Sequence, residues 1–369
     1  MTPETIEAYG VRLRPSRPDD VADTAAACAD PITQRFMPGL PNPYTEESAR
    51  WWIAEGEPAA WAAGGASYAI ADPATDRLLG AVGLSNSMPK RRQFEIGYWV
   101  APWARGRGVA TTATRALAEQ AFAAGCARLE LLADEENTAS QRVALAAGFR
   151  PEGVRRSAGT ARDGSRYDLV AWVRLADDPP GPAARLLPDL PEERLTDGVV
   201  TVRRVALGDA DTLHRLHTLP EVVANRVPPV PPTRESTERR CRLAECHWLA
   251  GRSADLVIVD AASGAVAGGS ALVYDEPATG QAMLGYSVLP EARGRGLATR
   301  AVRLVAGWAF EIGLARLWAG TRPENVASQR VLKKAGFRRE GLLRGRLPSP
   351  GDTRTDSVVY GLLAADLPR

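Results

Sequence analysis

The sequence predicts a mixed α/β fold written twice in tandem, and three observations carry that expectation. The stretch Arg105-Gly106-Arg107-Gly108-Val109-Ala110-Thr111 returns 188 positions later as Arg293-Gly294-Arg295-Gly296-Leu297-Ala298-Thr299. At the same offset Asn137-Thr138-Ala139-Ser140-Gln141-Arg142-Val143 returns as Asn325-Val326-Ala327-Ser328-Gln329-Arg330-Val331, with Gly148-Phe149 and Gly336-Phe337 behind them. Around each copy the apolar pattern changes in the same order, from strand-like runs to a helical period of three and four.

Length agrees with two units. A chain of 369 residues suits two domains better than one core. The segment 177–197 holds Pro179-Pro180-Gly181-Pro182, Pro188 and Pro191, a density that opposes both helix and ladder pairing. It reads as a semi-rigid connector between residues 1–176 and 198–369.

Each half then gives one series of elements. A short strand (11–14; 201–204) precedes polar-to-apolar helical segments. Two strands follow, near 67–71 with 79–84, and near 256–259 with 266–273. An apolar strand (94–100; 283–289) runs to Pro102 or Pro290. The glycine-rich loop then opens a helix whose apolar positions are Val109, Ala113, Ala116, Leu117 and Ala121, or Leu297, Ala301, Leu304, Val305 and Trp308. Gly125 and Gly313 are its stops. A strand (128–132; 316–319), a helix begun at Asn137 or Asn325, and final strands at 168–173 and 356–362 complete each unit.

Composition removes several function classes. The formal net charge is +2, so bulk electrostatics gives no strong attraction to nucleic acid or membrane. Lysine occurs only at Lys90, Lys333 and Lys334, so the basic residues are almost all arginine. No apolar run approaches a spanning helix and the N-terminus lacks a signal pattern, so a cytoplasmic location is expected. Four cysteines form no dense framework, and reduced thiols are expected. His214, His217, Cys241, Cys246 and His247 are metal-binding residue types. Their separation and the lack of a CxxC argue against a metal site, and none is expected.

The loop itself points to an anion. A strand ends, glycines turn the backbone, and the free N–H groups of a helix's first turn face outward with the positive dipole end. Arg105, Arg107, Arg293 and Arg295 add charge, so a pyrophosphate is a fitting ligand. Neither copy has the Gly-Lys-Ser/Thr of a Walker A loop. Neither has the third glycine of a dinucleotide fingerprint, since Thr111 stands there in the first copy.

Arg-x-x-Gly-x-Ala after a strand resembles the GNAT superfamily of acyl-CoA N-acyltransferases, over nearly all of both halves apart from the connector. Gly97-Tyr98-Trp99-Val100, Asn137-x-x-Ser140-Gln141-Arg142 and Gly148-Phe149-x-x-Glu152-Gly153, with their second copies, are similar to the branch containing ribosomal-protein N-terminal acetyltransferases. The resemblance implies two tandem domains, each a mixed, mostly antiparallel sheet flanked by helices. It implies acetyl-CoA as co-substrate, held by Arg105, Gly106, Arg107, Gly108, Ala110 and Thr111, and by Arg293, Gly294, Arg295, Gly296, Ala298 and Thr299. Tyr98, Val100, Ser287 and Val288 on the preceding strands, with Asn137 and Asn325, would meet the pantetheine arm.

Direct transfer to an amine needs a base and a proton for the leaving thiolate. Glu95 is the candidate base, and Met283 stands at its place in the second half. The tyrosine that many members use as the acid, four residues before Gly-Phe, is replaced by Ala144 and Leu332. Ser140 and Ser328 are the alternatives, with a helix-capping role equally open. Asp168 and Asp356 coincide in the repeat, and a structural role is the safer reading for both. The acceptor is an amine, with a small molecule slightly favoured over a protein N-terminus. The rival reading keeps one half catalytic and makes the other an acyl-CoA-binding or scaffolding module.

Overall fold

The computed structural model describes residues 3–349 and 353–368, and the chain divides into two compact units, 1–184 and 185–369. In the first unit eight strands form one sheet: β1 (Ile6–Ala8), β2 (Val11–Arg14), β3 (Ala66–Ala71), β4 (Leu78–Met88), β5 (Gln93–Val100), β6 (Arg128–Asp134), β7 (Arg150–Thr160) and β8 (Arg166–Leu175). Their order is β1-β2-β3-β4-β5-β6-β8-β7. The β5–β6 pair is parallel, and the other neighbours are antiparallel. The helices are α1 (Val21–Ala29), α2 (Pro31–Phe36), α3 (Glu46–Trp51), α4 (Glu57–Ala62), α5 (Val109–Ala123) and α6 (Thr138–Ala146), with a π-helical turn at Trp52–Gly56 between α3 and α4.

The second unit repeats this plan. Its strands are β9 (Arg194–Thr196), β10 (Val200–Arg204), β11 (Ser253–Asp260), β12 (Val266–Glu276), β13 (Gln281–Val288), β14 (Arg316–Thr321), β15 (Arg338–Ser349) and β16 (Thr353–Leu362). Read from the β9 edge, the order is β9-β10-β11-β12-β13-β14-β16-β15, with β13–β14 the parallel pair. Its helices are α7 (Ala210–Thr218), α8 (Pro220–Val223), α9 (Arg234–Leu249), α10 (Leu297–Glu311) and α11 (Val326–Lys334).

Local chemistry explains the elements that position the site. All six residues of β3 are buried, as befits a strand covered on both faces. Helix α5 buries Val109, Ala113, Ala116, Leu117 and Ala121, the stripe expected from its period. It stops at Gly125, whose φ of 90° is the left-handed conformation a terminating residue adopts. Asn137 and Asn325 cap α6 and α11, each accepting from the N–H of the serine three residues on. The repeat also extends upstream of the conspicuous motifs. Arg14 Nη1 lies 2.7 Å from Asp20 Oδ2, and Arg203 Nη1 lies 2.8 Å from Asp209 Oδ2, in equivalent turns before α1 and α7.

Two differences from the sequence reading have physical causes. The proline-rich stretch is not a bare connector. Leu187 and Leu190 are buried in the second core, Pro188 O accepts from Trp248 Nε1 at 2.9 Å, and β9 pairs with β10. Prolines cannot donate, but their carbonyls accept, and the leucines between them bring apolar area to bury. Strands β1, β7, β9 and β15 were not foreseen. Strands β7 and β15 are mostly exposed and rich in Arg and Gly, so they carry no period-two pattern.

Candidate active site

The site begins where two parallel strands part. Pairing of β5 with β6 runs through Gln93, Phe94 and Glu95 and then stops, leaving residues 96–100 with β4 alone. In the second unit β13 leaves β14 after Met283. The exposed strand edge offers main-chain donors and acceptors to an extended ligand. Tyr98, Val100, Ser287 and Val288 all lie beyond the parting point. The carbonyls of Val100 and Val288 are already engaged, each accepting from the Nε of Arg105 or Arg293 at 3.2 Å.

The glycine loop closes the end of this opening. Gly106 and Gly108 have φ of 73° and 78°, and Gly294 and Gly296 have 75° and 78°. A Cβ built on any of the four would meet nothing within 4 Å. Glycine is thus required here by backbone conformation, and the space beside the loop is open. Helices α5 and α10 start at Gly108 and Gly296 with no side-chain cap, so their first-turn N–H groups face that space. Ala110 and Thr111, and Ala298 and Thr299, sit half-buried in those first turns. The residues present fit an anionic group held by main chain.

Three of the four loop arginines are engaged within the protein. Arg105 turns its guanidinium inward, onto Asp30 and onto Thr33 Oγ1 at 2.9 Å. Arg293 reaches Glu221 at 2.7 Å and Arg295 reaches Asp260 at 2.7 Å. These three tie the loop to neighbouring elements, and each is already neutralised by a carboxylate. Arg107 is exposed at the rim.

The parted strands also bring two hydroxyls together. Tyr98 Oη and Ser140 Oγ are 2.9 Å apart, and Tyr286 Oη and Ser328 Oγ are 2.9 Å apart. Burial pushes the Tyr98 phenol well above its ordinary value and Tyr286 up to about 12, so both are neutral donors. From sequence alone Ser140 and Ser328 are candidate acids and Tyr98 a pantetheine contact, while the Tyr–Ser pairing itself is not visible. The available signal was Gly97-Tyr98 returning as Gly285-Tyr286.

Glu95 stands at the last paired position of β5, beside Glu130 on β6, and accepts from Asn86 Nδ2 at 2.8 Å. Glu130 is buried and is paired with Arg155 and Arg128. By strand alternation Glu95 shares a face with Trp99, which packs on Cys28, Tyr44 and Ala49 of the α1–α3 cluster. Asp168 and Asp356 are structural: each accepts at 2.8 Å from the backbone of a left-handed bulge residue, Ser157 or Gly345. Trp248 is a core residue donating to Pro188 O, and the half-buried Trp61 donates to Ser67 O.

The model for the acetyltransferase (GNAT) domain matches residues 11–150 and again 200–338. The chain belongs to the GNAT acetyltransferase family. Among its relatives is the Bacillus subtilis protein named "Probable N-acetyltransferase YjcK", 48% identical over 86 residues, which are 23% of this chain and 47% of that protein. The "Uncharacterized N-acetyltransferase p20" of Bacillus licheniformis is 28% identical over 167 residues, 44% of this chain and 92% of its own. The first relatives each match over 47% of their length, so the chain spans about half the length of those proteins. Mycobacterium smegmatis RimJ, solved with CoA-disulfide, aligns at 28% identity and a TM-score of 0.42, covering 48% of this chain and 87% of its own. The two domain matches fall one in each structural unit.

Proposed function

We propose that this GNAT protein is an acetyl-CoA-dependent N-acetyltransferase that transfers acetyl directly to a primary amine. The observation that carries the reading is the presence, within one unit, of an anion-fitting loop, a parted strand edge, the Tyr98–Ser140 pair and a carboxylate, Glu95, at the point where the strands part. Acetyl-CoA supplies an activated thioester when bound. The main chain of Gly106–Thr111 would hold its pyrophosphate, and the β5 edge with Asn137 its arm.

Glu95 takes a proton from the incoming ammonium, leaving a neutral nitrogen able to form the C–N bond. The Tyr98–Ser140 pair donates a proton toward the departing sulfur as its bond to the acetyl carbon breaks. Both groups act where charge develops in the transition state, where pre-placed hydrogen bonds are most effective. The amine is a small molecule in preference to a protein N-terminus, because fused copies of this fold suit small-molecule chemistry by resemblance.

Thiol release from acetyl-CoA, followed against a panel of small amines and short peptides, tests the reading. Release that depends on a small amine is expected. Release with peptides alone would transfer the acceptor to protein N-termini. None with any amine would remove the activity.

A further inference from the structure

The second unit holds a cavity of about 700 Å³ that joins the Tyr286–Ser328 pair to the space between α7, α9 and the sheet. Among its described lining residues the charged groups are Arg226, Arg240, Arg322 and Arg346 against the single carboxylate of Asp255. Arg240 is paired with that carboxylate. Arg346 lies 5.8 Å from the Trp318 ring centre. Arg322 donates to Pro348 O and Ser349 Oγ, but its Nε is buried without a partner among the described residues. The Nε of Arg226 is likewise buried without one. Four guanidinium groups thus face one carboxylate across this cavity, an excess of positive charge that an anion arriving from outside would balance.

The repeat shows that this charge is particular to one half. At the positions 188 residues earlier, Met283 corresponds to Glu95, Trp318 to Glu130, Arg322 to Asp134 and Arg346 to Ala158. Three carboxylates around the first opening have become a thioether, an indole and a guanidinium. Burial, then Arg240 and Arg226, hold His217 down at about 4, so the imidazole adds no positive charge near neutrality. Burial and the neighbouring Arg240 also lower Arg226.

We infer that the cleft of the second half takes an anionic acceptor: a small amine that also carries a phosphate or carboxylate group, which Arg226 and Arg322 bind. The inference rests on the acyl-CoA reading for calling the cleft an acceptor site, but the binding itself does not. Planar guanidinium groups match both oxyanions through paired N–H donors. The same groups repel a polyamine, so the two halves of one chain would accept amines of opposite charge character.

The test is calorimetric titration of the full-length protein, with and without saturating coenzyme A, using O-phosphoethanolamine, 4-aminobutyrate and ethanolamine. Coenzyme A fills the loops, so phosphate binding there does not contribute. At least one anionic amine should bind tenfold or more tightly than ethanolamine, and which one does so separates phosphate from carboxylate. In Arg226→Gln/Arg322→Gln that affinity should fall by about tenfold or more, the scale of a lost charged hydrogen bond. Arg226→Lys, which keeps the charge, should retain most of it and guards against a folding defect. Equal or tighter binding of ethanolamine, or anionic binding unchanged in the double glutamine variant, would overturn the inference. Failure of coenzyme A itself to bind would sink the acyl-CoA reading while leaving the amine titrations to judge this one.

Discussion

Glu95 and Tyr98 sit three residues apart on β5, on opposite faces of the strand, and the proposed mechanism gives them opposite proton roles. Replacing Glu95 by Gln keeps the shape and the Asn86 contact while removing the base. Turnover should fall by about 10²-fold or more, the usual scale for a general base, with coenzyme A affinity unchanged by calorimetry. Full turnover in Glu95→Gln would dismiss the assignment. Tyr98→Phe removes the donor facing Ser140 and should also lower kcat by an order of magnitude or more. A capping role for Ser140 alone would leave kcat untouched, because Asn137 Oδ1 accepts from the backbone N–H of Ser140 in either case.

His217 gives a prediction of a different kind. Its folded-state value of about 4 lies below the ordinary 6.5. Between those values the unfolded chain binds a proton that the folded chain refuses, so stability from this residue is complete above 6.5 and lost as pH falls toward 4. The loss is at most about 3.4 kcal/mol, from about 2.5 pH units at about 1.36 kcal/mol each. Denaturant unfolding at pH 7.5, 5.5 and 4.5 should show a smaller loss in His217→Gln than in the parent. Identical slopes would mean that the imidazole is not held neutral.

At the scale of elements, the loop glycines are the sharpest case. Gly108→Ala should cost about 1–2 kcal/mol, the penalty of a left-handed residue bearing a Cβ, with no clash added because the space is open. Gly97 is also open but has no positive φ, so Gly97→Ala should leave the melting temperature nearly unchanged. A similar fall in both would show that the loop conformation is not what demands glycine. These same elements show which features a sequence exposes. The loops, the Asn137 and Asn325 caps and the α5 stripe depend on contacts within a few residues, so spacing alone revealed them. The ion pair of Arg105 with Asp30 leaves no such mark, because the two residues lie 75 apart in sequence. Tyr98 and Ser140 are 42 apart, and only the parting of β5 from β6 brings them together. Strands β7 and β15 escaped because exposed, arginine-rich strands have no buried face to mark in the pattern.

For the whole molecule, the question is whether duplication preserved one function or divided it. The parts proposed to hold coenzyme A are the same in both units: positive-φ glycines, uncapped helix starts, parted strands and a Tyr–Ser pair at 2.9 Å. The parts that would meet the acceptor differ, as Glu95, Glu130 and Asp134 against Met283, Trp318 and Arg322 show. Loss of a base without loss of the loop is the pattern expected if both halves kept coenzyme A binding under separate demands on the acceptor. Calorimetric titration with acetyl-CoA should therefore return two sites per chain. Gly294→Val/Gly296→Val strains two left-handed positions and places side chains in the space beside the second loop. The count should then fall to one, with amine-dependent turnover by the first half retained. One site in the parent chain would mean that the shared geometry outlived its ligand in one unit, and the loop variants of each half would show which.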